Sequence, residues 1–252
     1  MNCIELIGPS GIGKTTFLKK LLKARGNANW ITATEALMLA GEQKTKKEKL
    51  IIKAAGLLGL SIQTGNKCYL KKIQEYEMEC SLLIEMLLST LTASKMQVWQ
   101  KVKSLDFNLK SVLYHQILLY ENHAGKTILL DEGIVQNWAR SVQFVLSDPD
   151  KYQDIKNSVL FPKAIIHFDL DDNEYRKRLI SRYEKSGKRK INLILEDLSD
   201  EETNLFIKRT RKISKKLREA CKCLQLPVLD LEPVASKSNI DKALSFISTI
   251  NR

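Results

Sequence analysis

Near the start of the chain, Gly8-Pro-Ser-Gly-Ile-Gly-Lys-Thr15 places glycines at intervals before a lysine and a hydroxyl residue. Glycine lets a backbone wrap tightly around an anion with its N–H groups aimed inward. Lys14 adds an ammonium charge that can reach the outer phosphates of a triphosphate, and the Thr15 hydroxyl suits a Mg²⁺ ion held beside them. Gly8, Ser10, Gly11, Ile12, Gly13, Lys14, Thr15 and Thr16 are therefore candidate nucleotide-binding residues. The motif sits between a strand-like and a helix-like segment, the setting that phosphate binding at a helix N-terminus requires.

A second group is Ile128-Leu-Leu-Asp-Glu132, an apolar run ending in two acids. Acids at the C-terminal edge of a parallel sheet face the ligand crevice. Asp131 is the candidate to share a Mg²⁺ ion with Thr15. Asp131 or Glu132 could also take a proton from an attacking hydroxyl. The competing reading is a strand-ending acid that caps the next helix.

These groups need a scaffold. Cys3–Ile7 reads as a buried strand running into Gly8. From Lys14 the pattern turns helical, with Phe17, Leu18, Leu21 and Leu22 on one stripe and Gly26 as the stop. Further strands are expected at 30–34, 127–131, 164–169 and 227–231. Helices are expected over 42–60, 67–93, 98–123, 201–224 and 236–250. Strands alternating with helices imply an α/β fold with a parallel sheet covered on both faces. About ninety residues separate the second strand from the third, far beyond an ordinary connection. The expectation is one domain over 1–252 with a helical, acceptor-binding insertion at about 36–125.

The 252 residues carry a formal net charge of +12, which favours anionic partners. The five cysteines form no CxxC pair, which points to reduced thiols. The N-terminus lacks a signal-peptide pattern and no apolar run is long enough to cross a bilayer, so a cytoplasmic location is expected. His167 lies in a strand and reads as a packed histidine; Trp30, Trp99 and Trp138 read as packing residues. Glu5, a charge inside the first strand, calls for a nearby cation.

The chain resembles the nucleoside and nucleotide kinase group of P-loop proteins, thymidylate kinase above all. The likeness lies in the phosphate loop, in Asp131-Glu-Gly-Ile-Val-Gln-Asn-Trp-Ala139, and in most of the last ninety or so residues. It implies a P-loop NTPase-type sandwich with a five-stranded parallel sheet, ATP as donor and Mg²⁺. By the same resemblance, Gln136 and Arg140 fall on a substrate-facing helix. Arg178 and Arg182 would stabilise the transferring phosphoryl group, Arg178 also contacting the nucleotide. Arg189 lies in a basic lid at about 183–200 and would touch the substrate. Where the family places an arginine after the strand acid, this chain has Glu132.

The activity expected is ATP-dependent transfer of the γ-phosphoryl group to a hydroxyl or phosphate of a small, anionic acceptor: a nucleotide, sugar or glycan-type metabolite. The alternative is a P-loop NTPase acting on nucleic acid or as a conformational switch. Neither an LSGGQ nor an NKxD motif is present. A homodimer is compatible with the sequence.

Overall fold

The computed structural model describes residues 2–26, 29–40, 66–122, 126–139, 141–185 and 200–250. At its centre is a sheet of five parallel strands: β1 (Cys3–Ile7), β2 (Trp30–Thr32), β3 (Thr127–Asp131), β4 (Ala164–Phe168) and β5 (Val228–Leu231), in the order β2-β3-β1-β4-β5. Strands covered on both faces must be apolar almost throughout. β1, β2 and β4 are buried along their whole length. β1 lies between β3 and β4, so the chain's winding reverses beside it. A crevice opens at its C-terminal end, where such sheets bind ligands. This is the α/β, P-loop NTPase-type sandwich expected from the sequence.

Two apolar layers hold the sheet. On one face, α1 (Lys14–Ala24) turns Phe17, Leu18 and Leu21 inward, and the Phe17 ring meets Phe168 edge-on with centroids 5.0 Å apart. The terminal helix (Lys237–Ile250) adds Ile240, Ala243 and Ile247 to this layer. On the other face lie Leu83, Leu113 and Ile117 from the helices between β2 and β3, with Leu217 and Leu224 from the long helix Asp200–Cys223 and its end.

The stretch read as one helix over 67–93 is two, Asn66–Glu75 and Glu77–Ala93. Tyr76 leaves the helical conformation at φ −115°, ψ 35°. Its ring packs edge-on against Tyr120 at 5.7 Å, and its hydroxyl donates to Glu121 at 3.3 Å. The stretch read over 98–123 runs as α-helix Val98–Phe107, a π-helical turn Asn108–Leu113 and α-helix Tyr114–Asn122. At the junction the Ser104 carbonyl accepts both the backbone N–H of Asn108 and its side-chain amide, the latter at 2.7 Å. The helix expected over 42–60 lies outside the described residues. Trp30 and Trp138 are buried as expected, but Trp99 is 59% exposed, so packing is not its role among the described residues. No described helix is long and apolar enough to cross a membrane.

Polar ties fasten helix Asp200–Cys223 to the sheet edge. Arg218 meets Asp230 through two hydrogen bonds of 2.6 Å. Arg211 meets Asp169 at 2.8 and 3.0 Å. Between them His167, 2% exposed, has Nδ1 3.0 Å from Asp230 and Nε2 3.1 Å from the Ser214 hydroxyl. Burial holds its pKa below the usual histidine value, against the pull of Asp230. The unfolded chain therefore takes up a proton near pH 6.5 that the folded chain still excludes. Stability tied to His167 is intact above that pH and is lost as pH falls below it. We predict that the urea midpoint of the wild type drops more between pH 7.5 and pH 5.5 than that of His167→Gln; equal drops would dissociate His167 from acid sensitivity.

Candidate active site

The crevice at the head of β1 is shaped by the backbone of Gly8–Thr15. Ile12 N–H turns back to the Pro9 carbonyl at 3.3 Å, and Phe17 N–H reaches Gly13 O at 2.9 Å, starting α1. Gly13 sits at φ 115°, in the left-handed region that favours glycine. A Cβ there would lie 2.8 Å from Arg178 Nη1, so the arginine approaches because no side chain intervenes.

Lys14 is 4% exposed. Its ammonium donates to the Gly8 carbonyl at 2.9 Å and the Pro9 carbonyl at 3.4 Å, and pairs with Glu132 at 3.3 Å. The lysine thus arches back over its own loop toward the acid-bearing turn. Thr15 Oγ1 donates to Asp131 Oδ2, so the hydroxyl and carboxylate proposed for one Mg²⁺ ion are in direct contact. The register pairs Leu6 with Asp131, which puts the end of β3 level with the loop.

Helix Asp172–Lys185 closes the other side. Tyr175 OH donates to Ser10 O at 2.8 Å, and Arg178 Nη1 donates to Ile12 O at 2.6 Å and Pro233 O at 3.3 Å. Arg182, one turn further, is exposed, and a Cβ on Gly11 would lie 3.3 Å from its Nη1. Arg178 and Arg182, but not the buried Tyr175, line a cavity of about 1180 Å³ that also reaches Lys14, Asp131, Glu132 and Pro233–Ala235. Ser10, Thr15, Thr16, Arg178 and Arg182 all face it.

Gln136, expected to face the acceptor, is tied to the phosphate loop through its side-chain oxygen. It lies on the short helix Ile134–Asn137, and its Oε1 accepts the Gly8 N–H at 2.9 Å. Arg140 and Arg189 lie outside the described residues, as does most of the 183–200 lid.

Among the described residues, the hydrogen-bond partners of Glu5 are backbone amides and not the expected cation. Fully buried, Glu5 accepts N–H groups from Gly133 at 2.9 Å, Val135 at 3.0 Å and Gln136 at 2.7 Å. Burial pushes its carboxyl up to about 7, outweighing the three donors that favour the charged form. The sequence signal for Glu5 is a charge in an apolar strand, but backbone donors leave no residue-type trace. Tyr175 and Pro233 have no such signal: Tyr175 donates to the loop carbonyl of Ser10, and Pro233 offers only its own backbone carbonyl to Arg178.

A glycine-shaped cradle at a helix N-terminus, with a lysine, a hydroxyl and a strand-ending carboxylate at its rim, defines a P-loop nucleotide-binding protein. The chain belongs to the AAA domain family, a P-loop kinase-like family whose model matches residues 4–200. A search of curated proteins finds no match.

Arg178 is a structural tie as well as a cavity residue. We predict that Arg178→Ala lowers the unfolding free energy of the nucleotide-free protein by about 1.5 kcal/mol, through loss of a charge-assisted hydrogen bond to Ile12. Urea denaturation checks this, and unchanged stability would leave Arg178 a purely ligand-facing group.

Proposed function

We propose that the protein is an ATP-dependent kinase that transfers a γ-phosphoryl group to a hydroxyl or phosphate of a small acceptor. The observation that carries this reading is the meeting of Lys14, Thr15 and Asp131 at the rim of one cavity at the head of α1. A catalyst for this transfer has little covalent work to do; it positions two oxygens in line and stabilises charge.

The residues divide that work. The loop amides and the α1 N-terminus bind phosphate oxygens. Lys14, already directed across the loop, neutralises the outer phosphates. Thr15 and Asp131 fit a hard, oxygen-seeking cation and would hold Mg²⁺, which when bound screens phosphate charge. Glu132 or Asp131 accepts the proton of the acceptor hydroxyl. Arg182 and the free edge of Arg178 face the developing charge from the opposite wall. The thymidylate-kinase resemblance supports a nucleotide acceptor, whereas Glu132 in place of the family's arginine favours a sugar or other metabolite. We assign the acceptor side to the insertion at about 36–125 and closure to the segment at about 183–200.

A second reading, an NTPase working on nucleic acid, draws on one feature. Lys208, Lys212, Lys215 and Lys216 line a groove of about 420 Å³ on helix Asp200–Cys223. A motor of that kind would show hydrolysis stimulated by polynucleotide and abolished by salt.

The test uses ATP labelled on the γ-phosphate with a panel of nucleotides, sugars and phosphosugars. We predict transfer to a small acceptor, lost in Lys14→Ala while the circular dichroism spectrum stays unchanged. Full activity in Lys14→Ala would remove the phosphate loop from the chemistry. We predict further that Asp131→Asn slows transfer by more than about a hundredfold and weakens ATP binding far less. An unchanged rate would take Asp131 out of the mechanism.

A further inference from the structure

Glu5 lies beneath the site rather than in it: it is fully buried and its hydrogen bonds go to backbone, not to the cavity. We infer that Glu5 and Gln136 are linked positioning residues, through which the acid-bearing turn after β3 sets the shape of the phosphate loop. The inference rests on the nucleotide-binding reading of that loop.

The chain of contacts is continuous. Glu5 holds the N–H groups of Gly133, Val135 and Gln136, and so fixes the turn that directly follows Asp131 and Glu132. Within that turn Glu132 sits at φ 75°, a left-handed conformation that a non-glycine residue keeps only when its surroundings hold it. That conformation accompanies the 3.3 Å approach of its carboxylate to Lys14. Gln136 carries the constraint across to the loop, where its Oε1 takes the Gly8 N–H at 2.9 Å. Gly8 in turn holds Lys14 through its carbonyl, also at 2.9 Å. Glu5 therefore reaches the lysine by two routes, through Glu132 and through Gly8. The fit tolerates no side chain at Gly133, where an added Cβ would lie 2.7 Å from Glu5 Oε2.

Two variants keep side-chain volume while removing an acceptor: Glu5→Gln, which sets an NH₂ against backbone donors, and Gln136→Met. Two readouts are needed at pH 8, hydrogen exchange at the Gly8 amide by mass spectrometry and the dissociation constant for ATP with Mg²⁺. Each variant is expected to speed Gly8 exchange and to weaken ATP binding about tenfold. The double variant should lose no more than Glu5→Gln alone, about tenfold and not about a hundredfold, because Gln136 lies on one of the two routes that start at Glu5. Additive losses, or unchanged Gly8 exchange in Glu5→Gln, would overturn the inference. So would a fall in unfolding midpoint with unaltered affinity of the folded protein, the mark of a merely structural role. If Glu5→Gln does not fold, Gln136→Met decides, and unchanged exchange and affinity there would overturn it. A wild type that ignores ATP while Gly8 exchange still responds to both variants would sink the nucleotide reading and leave the link to Gly8 standing.

Discussion

The structure depends on a turn of bare backbone at the head of its central strand. Amide N–H groups can converge on phosphate only if no side chain fills the space they enclose and no other acceptor claims them. Gly13, at φ 115°, provides the first condition and allows Arg178 to come close. Three ties from two sides hold the turn: Tyr175 and Arg178 from the helix after β4, and Gln136 from the short helix after β3. Such a cradle loses little freedom when an anion enters, because its geometry is fixed beforehand.

The same turn explains the distribution of charge around it. Lys14 is nearly buried, which is tolerable because two carbonyls and Glu132 surround its ammonium group. Asp131 meets the Thr15 hydroxyl, so an acid at the end of β3 is brought to the start of α1 across the β1–β3 register. Beneath them Glu5 is the one acidic residue in β1, and it spends its carboxyl on backbone donors. Arg211 and Arg218 lie farther out and serve acids of the sheet edge.

What could be read from sequence follows from which interactions leave a mark on residue type. All five strands were legible as short apolar runs, though the second ends at Thr32 rather than at 34, where the helix Ala33–Ala40 has already begun, and β5 is only partly buried. The phosphate loop and the acids after β3 were legible, because glycine, lysine and carboxylate are required at fixed places. The break at Tyr76 and the π turn at Asn108 were not, since local departures from the α-helix inside an apolar, helix-spaced run do not alter its periodicity. The role of Glu5 was half legible: its burial could be foreseen, its backbone partners could not. The resemblance marks Gln136 as a site residue, but a glutamine oxygen on the Gly8 amide leaves no pattern in the sequence.

The most direct test follows the loop amides themselves. Titration of the ¹⁵N-labelled wild-type protein with ATP and Mg²⁺ should shift the Gly11, Gly13, Lys14 and Thr15 amide resonances together, saturating at one nucleotide per chain. Resonances of these four residues that stay in place at saturating nucleotide, or that move only with magnesium alone, would contradict the account.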